Sequence, residues 1–158
     1  MFLLDGKRLT EGTPFEHNGI LYPANWLNHT SLQEKEAIGI TEVAQQFRPD
    51  DRFYWVTDSN DGSFTTIDKA INDDQANNSI GLKTQWVNQI KITAGTMLNH
   101  TDWMVIRKAE RNIDIPSDVV TYRTAVITEA SRLETAINAV TTIPNLITVV
   151  QSQNWPTL

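Results

Sequence analysis

The sequence predicts an α+β protein: a small N-terminal antiparallel β domain, sandwich-like, followed by an all-helical C-terminal domain of three to four helices. Three observations predict it. Short apolar runs in the first 67 residues are punctuated by Asp-Gly and Asn-Gly turns. Residues 68–81, DKAINDDQANNSIG, are polar and rich in Asn and Asp, the composition of a connecting segment. From Leu82 onward apolar residues recur at helical spacing. The expected organisation is therefore a β-rich domain at 1–67, a polar linker at 68–81 and a helical domain at 82–158.

In the front region, FLL-DG-KRL is a hairpin signal, because Asp-Gly supplies the positive φ angles of a tight turn. FEHNGILYP repeats the device with Asn18-Gly19. SLQEKEAIG reads as one short helix, with Ser31 and Glu34 as a capping box and Gly39 as the left-handed residue that ends it. ITEV and FYWVT resume β-rich patterns, and FTTI follows the DSNDGS turn.

In the back region, Leu82, Trp86, Ile90, Ala94 and Leu98 mark one stripe of an amphipathic helix. Asn99-His100 is expected to break it, and Thr101 to cap a second helix carrying Trp103 and Ile106, with Asp102 against its N-terminal dipole. IDIP reads as an extended connector, since the residue before a proline avoids the helical region. A long helix is expected from about Ser117 to Val140, with Val126, Ala130, Leu133, Ile137 and Val140 spaced 4, 3, 4, 3. A last short helix starts near Pro144, and QSQNWPTL is irregular.

Composition bounds the function. Apolar residues make up 40% and charged residues 20%, the values of a folded protein. No apolar run approaches the roughly 18–20 residues a membrane span needs, and MFLLDGKRLTEG lacks the basic start of a signal peptide. The chain has no cysteine, which excludes disulfides and thiolate metal sites and fits a reducing cytoplasm. Six bases face thirteen acids in residues 1–81, a net −7, whereas seven bases face six acids in 82–158, a net +1. An acidic front half repels phosphate and argues against a nucleic-acid partner.

Catalytic signatures are not evident. Glycine-rich phosphate loops and the G-x-S-x-G elbow do not occur. His17, His29 and His100 are far apart and show no metal spacing. Asp50-Asp51 and Asp73-Asp74 are paired carboxylates, but both lie in turn-like sequence, where adjacent acids face water. No catalytic residue, cofactor, metal or small-molecule substrate is expected.

Trp86 and Trp103 sit on helical stripes and read as core. Trp26 and the run Phe53-Tyr54-Trp55 are different. Alternation along a strand gives Phe53 and Trp55 a common face, which is either an exposed aromatic binding surface or one side of a two-sided core. Trp26, Phe53 and Trp55 are the candidate partner-binding residues. Val120 and Ile127 lie off the main stripe of the long helix; they are candidates for self-association or for a monomeric core. Arg123, beside Tyr122, is placed to bond back to Asp102 or to helix-end carbonyls and so lock the joint between helices.

The pattern LNHTDWMVIRKAE…IP…YR resembles the C-terminal region of bacteriophage tail fibre assembly chaperones. The matching positions are Leu98, Thr101, Asp102, Trp103, Tyr122 and Arg123, within a resemblance covering roughly residues 82–140. YPANWL and GITEV…RPDDRFYWV look like front domains of such proteins. The connector RKAERNIDIPSDVV is longer than the family pattern.

The resemblance implies a binding protein without an active site. Its partner would be the trimeric tail fibre protein, with about three chaperone copies per fibre. Its place would be the cytoplasm of the infected bacterial host, or the virion. The β-rich part would contact the fibre and the helical part would support assembly, with Asp102, Trp103, Tyr122 and Arg123 as structural motif residues. Fibre tips form slowly because their contacts are non-local, and unpaired strand edges in a single chain invite aggregation. A structural virion component, such as a baseplate or fibre-cap subunit, would need the same surfaces. A hydrolase acting on host glycans would need facing carboxylates in a groove.

Overall fold

In the computed structural model, which describes residues 1–158, Asp5 and Gly6 both take positive φ, 50° and 72°. The chain therefore folds back between β1 (Phe2–Leu4) and β2 (Lys7–Leu9), pairing Phe2 with Leu9 and Leu4 with Lys7. Asn18 and Gly19 repeat this geometry between β3 (Phe15–His17) and β4 (Ile20–Tyr22). A helical turn, α1 (Trp26–His29), precedes α2 (Leu32–Ala37). The capping box at α2 is present: Glu34 N–H donates to Ser31 Oγ at 3.3 Å and Ser31 N–H to Glu34 Oε2 at 3.0 Å. Gly39, at φ 89°, ends the helix and turns the chain into β5 (Thr41–Glu42), which pairs antiparallel with β1. β6 (Tyr54–Asp58) and β7 (Phe64–Asp68) form a further two-stranded sheet.

The fold is α+β, with the strands in three small sheets, β2-β1-β5, β3-β4 and β6-β7. The chain divides into two compact units, Met1–Ile67 and Asp68–Leu158. In the first, Leu4, Leu27 and Ile40 are buried together, with Phe2, Leu9, Phe15, Trp26 and Ile38 packed around them. Lys35 is also buried, its ammonium 4.2 Å from the centre of the Phe2 ring, so a cation on the aromatic face takes the place of a solvated charge.

In the second unit, residues 68–81 do not run as a free linker. They close onto the start of α3 (Leu82–Arg111). Leu82 N–H donates to Ala70 O, Lys83 N–H to Ile71 O, and Gly81 N–H to Asp73 Oδ1 at 2.7 Å. Asp73 Oδ2 accepts from Thr84 Oγ1 at 2.9 Å. The first N–H groups of a helix have no partner inside it, and this loop supplies them. A Cβ on Gly81 would lie 2.3 Å from the Asn72 carbonyl carbon, so only glycine permits so close an approach.

α3 is one unbroken helix of 30 residues, about 45 Å long. The expected break at Asn99-His100 does not occur, and Thr101 does not act as a cap. Its hydroxyl bonds back to Leu98 O within the helix at 2.9 Å. Asn and His lower helix propensity by only a few tenths of a kcal/mol each, and packing against the next helix outweighs that. α3 ends at Asn112, which is left-handed at φ 53°. α4 (Ser117–Ala139) returns antiparallel: Lys83 Nζ reaches Asn138 O, Lys91 pairs with Glu134, and Tyr122 reaches Met97. The core is Leu82, Val87, Ile90 and Ala94 against Val119, Val126, Leu133 and Ile137. α5 (Ile143–Gln151), capped by Thr142 with Pro144 in its first turn, adds Ile143, Leu146 and Val150. Three helices thus build this unit, the lower of the expected numbers, because two of the expected segments are one. No helix is long and apolar enough to cross a membrane.

Candidate functional site

In the first third of α4, Arg123 reaches across to α3. Its Nη1 lies 3.0 Å from Leu98 O, 2.7 Å from Thr101 Oγ1 and 2.8 Å from Asp102 Oδ1. Nη1 carries two hydrogens, so these acceptors share them. Beside it, Tyr122 OH donates to Met97 O at 3.3 Å. Thr101 is buried, Arg123 largely so, and the Asp102 side chain is half exposed. Leu98, Thr101, Asp102, Tyr122 and Arg123 therefore meet in one joint. The carbonyl that Arg123 reaches belongs to the helix interior and not to a helix end, since α3 continues past it. Mid-helix carbonyls are normally committed to their own ladder, and a second lone pair accepts the extra donor.

Trp103 turns away from this joint. It is 52% exposed, and the Arg107 guanidinium lies 4.8 Å from its ring centre. Its helical position suggested core, but the stripe that holds Leu98 does not carry over five residues to Trp103.

The remaining candidates separate clearly. Phe53 is 2% exposed, so it forms no part of a surface, and it stands outside the cluster around Leu4, Leu27 and Ile40. Its N–H donates to Asp50 O in a turn that ends where β6 begins, and strand alternation therefore does not extend to it. Trp55, inside β6, is 63% exposed. Trp26 is half-buried in a cluster of three rings. Phe15 and Tyr22 stack at 4.8 Å, and Trp26 meets them edge-on at 5.8 and 4.9 Å. Exposed apolar side chains that the sequence reading missed are Ile20, Leu21, Phe47 and Ile67. Ile20 and Leu21 lie in β4. A two-stranded hairpin has too few neighbours to bury both of its faces.

Val120 and Ile127 are both exposed on α4. Val120 lines a groove of about 610 Å³ between α4 and the C-terminal tail, with Thr124, Ala125, Trp155 and Pro156. The tail is irregular yet anchored. Arg132 pairs with Glu129 and donates to Ser152 O, while Glu129 Oε1 accepts the Asn154 N–H at 2.8 Å. The hydrogen bonds from Arg132, with help from that N–H, hold the buried Glu129 carboxyl below the usual glutamate range against the opposing effect of burial.

The acids and histidines considered for chemistry have local tasks. Asp50 holds Arg52, and Asp73 and Asp74 organise the loop ahead of α3. His17 lies 3.4 Å from Asp5 at the first hairpin, and His29 and His100 are exposed. No three His, Cys, Asp or Glu side chains gather where they could hold a metal ion. Comparison with protein-family models, with curated proteins and with solved structures returned no match.

Proposed function

We propose that this chain is a bacteriophage tail fibre assembly chaperone, which binds the distal part of a trimeric fibre protein and promotes its folding. The observation that carries the reading is the Arg123 joint. Of the six residues that carry the resemblance, Leu98, Thr101 and Asp102 on α3 meet Arg123 of α4 at one hydrogen-bonded node, Tyr122 bonds beside it to Met97 O, and Trp103 faces away.

In this reading the helical unit is the rigid support, and the β-rich unit meets the fibre. That unit offers exposed apolar side chains, with Trp55 and Phe47 the largest. Its sheets are only two or three strands wide. Short, open sheets suit a partner whose own strands are unpaired until it trimerises, because main-chain pairing can cover such edges temporarily. The binding takes place in the cytoplasm of the infected bacterium, without nucleic acid, membrane or small-molecule substrate.

The test is co-expression with the fibre gene that neighbours this one, read by size-exclusion chromatography with light scattering. Soluble trimeric fibre that requires this chain supports the reading, and the mass of the co-eluting species gives the stoichiometry. Fibre that trimerises equally well alone, with no co-elution, overturns it. Detection of the chain in purified particles would show instead a subunit that stays on the virion.

A further inference from the structure

The turn between β3 and β4 receives a polar side chain from the turn between β1 and β2. Asn18-Gly19 is the sole Asn-Gly pair in the sequence, and both residues take positive φ, 51° and 75°. His17 Nε2 lies 2.9 Å from Asn18 Nδ2, and His17 Nδ1 lies 3.4 Å from Asp5 Oδ2. The His17 side chain is only 16% exposed, so its ring is held in place, whereas Asn18 and Gly19 are open to water. A carboxylate at Nδ1 keeps the hydrogen on that nitrogen, and Nε2 then turns its lone pair to the Asn18 amide. Carboxylate, imidazole and amide nitrogen in this order suit a histidine that takes a proton from a nucleophile and passes it to a leaving amine.

The backbone supplies the nucleophile. Strand pairing ends with His17 opposite Ile20, so Gly19 N–H stands outside the ladder. A Cβ on Gly19 would meet nothing within 4 Å, and glycine has none to hinder the Asn18 side chain. We propose that Asn18 is a self-modification site, whose carboxamide nitrogen is lost as ammonia with His17 carrying the proton. Gly19 N attacks Asn18 Cγ and gives its proton to His17 Nε2, and the new N–Cγ bond closes a cyclic imide. His17 returns that proton to Asn18 Nδ2, the Cγ–Nδ2 bond breaks, and ammonia leaves. Water then opens the imide at either carbonyl, which leaves aspartate or isoaspartate at position 18. Asp5 is a positioning residue, since it meets His17 and no reacting atom. Isoaspartate lengthens the main chain, and a two-residue turn cannot absorb that without loss of register. The same register sets Phe15 on Tyr22 beside Trp26, and Phe15 and Trp26 pack against Leu4, Leu27 and Ile40. The modification therefore loosens the front unit with time. The inference concerns the chain alone and is independent of the fibre reading.

The experiment incubates the full chain in warm neutral buffer and follows it by peptide mass mapping, with isoaspartate separated from aspartate by chromatography. Conversion is expected at Asn18 ahead of every other asparagine, including Asn78, which also takes positive φ but precedes serine. His17→Gln should slow it severalfold, less than the roughly 10²–10⁴-fold of a fully aligned general base, because ring closure also has to distort the turn. Asp5→Asn keeps a residue suited to positive φ and should slow the reaction less. In urea, where Asp5 and His17 separate, Asp5→Asn and the unaltered chain should react at equal rates. A His17→Gln chain that keeps the near-ultraviolet circular dichroism of the unaltered chain and reacts as fast overturns the inference. So does earlier conversion at another asparagine, or an Asp5→Asn effect that persists in urea. Should His17→Gln disturb the hairpin, Asp5→Asn decides alone, and no slowing in the folded chain overturns the inference.

Discussion

The two units are stabilised in different ways. Residues 1–67 bury only Leu4, Leu27, Ile40 and Phe53 as apolar core, whereas residues 68–158 bury twelve apolar side chains along three helices. The first unit relies on local devices: two hairpin turns with positive φ, a capping box and a ring cluster. The second relies on side chains far apart in sequence, such as Arg123 with Leu98. A thin core with many local constraints should fail abruptly when one large side chain is removed, and a long helical seam should lose stability in increments.

The largest expected effect tests the thin core. Ile40→Ala, in the buried Leu4–Leu27–Ile40 cluster, should cost about 2–5 kcal/mol and unfold the front unit while the helical circular dichroism signal persists; equal loss of helix would erase the contrast between the units. Next is Arg123→Ala, which removes charge-assisted bonds from a largely buried node and should lower the stability of the helical unit by about 1–3 kcal/mol in urea titration. Arg123→Lys should recover little of it, since a single ammonium does not reproduce the guanidinium geometry. An unchanged midpoint for Arg123→Ala would mean that the joint does not hold the helices.

Acid gives a smaller effect. The Glu129 carboxyl has its pKa lowered in the folded chain, so its stabilising contribution is complete above the ordinary glutamate value of about 4.3. It is lost as the pH falls through the folded value. The C-terminal tail should loosen first, seen as a change in Trp155 fluorescence below about pH 4; Glu129→Gln should remove that transition. The smallest effect is expected for Trp55→Ser, within about 0.5 kcal/mol as for other exposed substitutions. It should weaken fibre binding without unfolding the front unit, which separates surface from core within two residues of Phe53.

Much of the local structure was legible in the chain. Asp5-Gly6, Asn18-Gly19, Ser31 with Glu34, Gly39 and Pro144 act within a few residues of themselves, so their backbone preferences carry into the fold unchanged. The start of the α4 helix followed from the IDIP connector, and its core stripe from the 4, 3, 4, 3 spacing. The Asn99-His100 break was misjudged because weak local propensity was set against packing that the sequence does not display. Phe53 was misplaced because a turn, not a strand, holds it.

By itself the sequence determined the α+β order, the turns and caps, the inner helical stripes and the absence of cysteine chemistry, since each depends on neighbouring residues or on composition. Only the tertiary structure decided that α3 is continuous, that residues 68–81 close its first turn, that Arg123 reaches a mid-helix carbonyl, and which aromatics remain exposed. Those outcomes depend on groups brought together from up to 55 residues apart, as with Lys83 and Asn138, and burial and hydrogen bonding across such distances override the small local preferences.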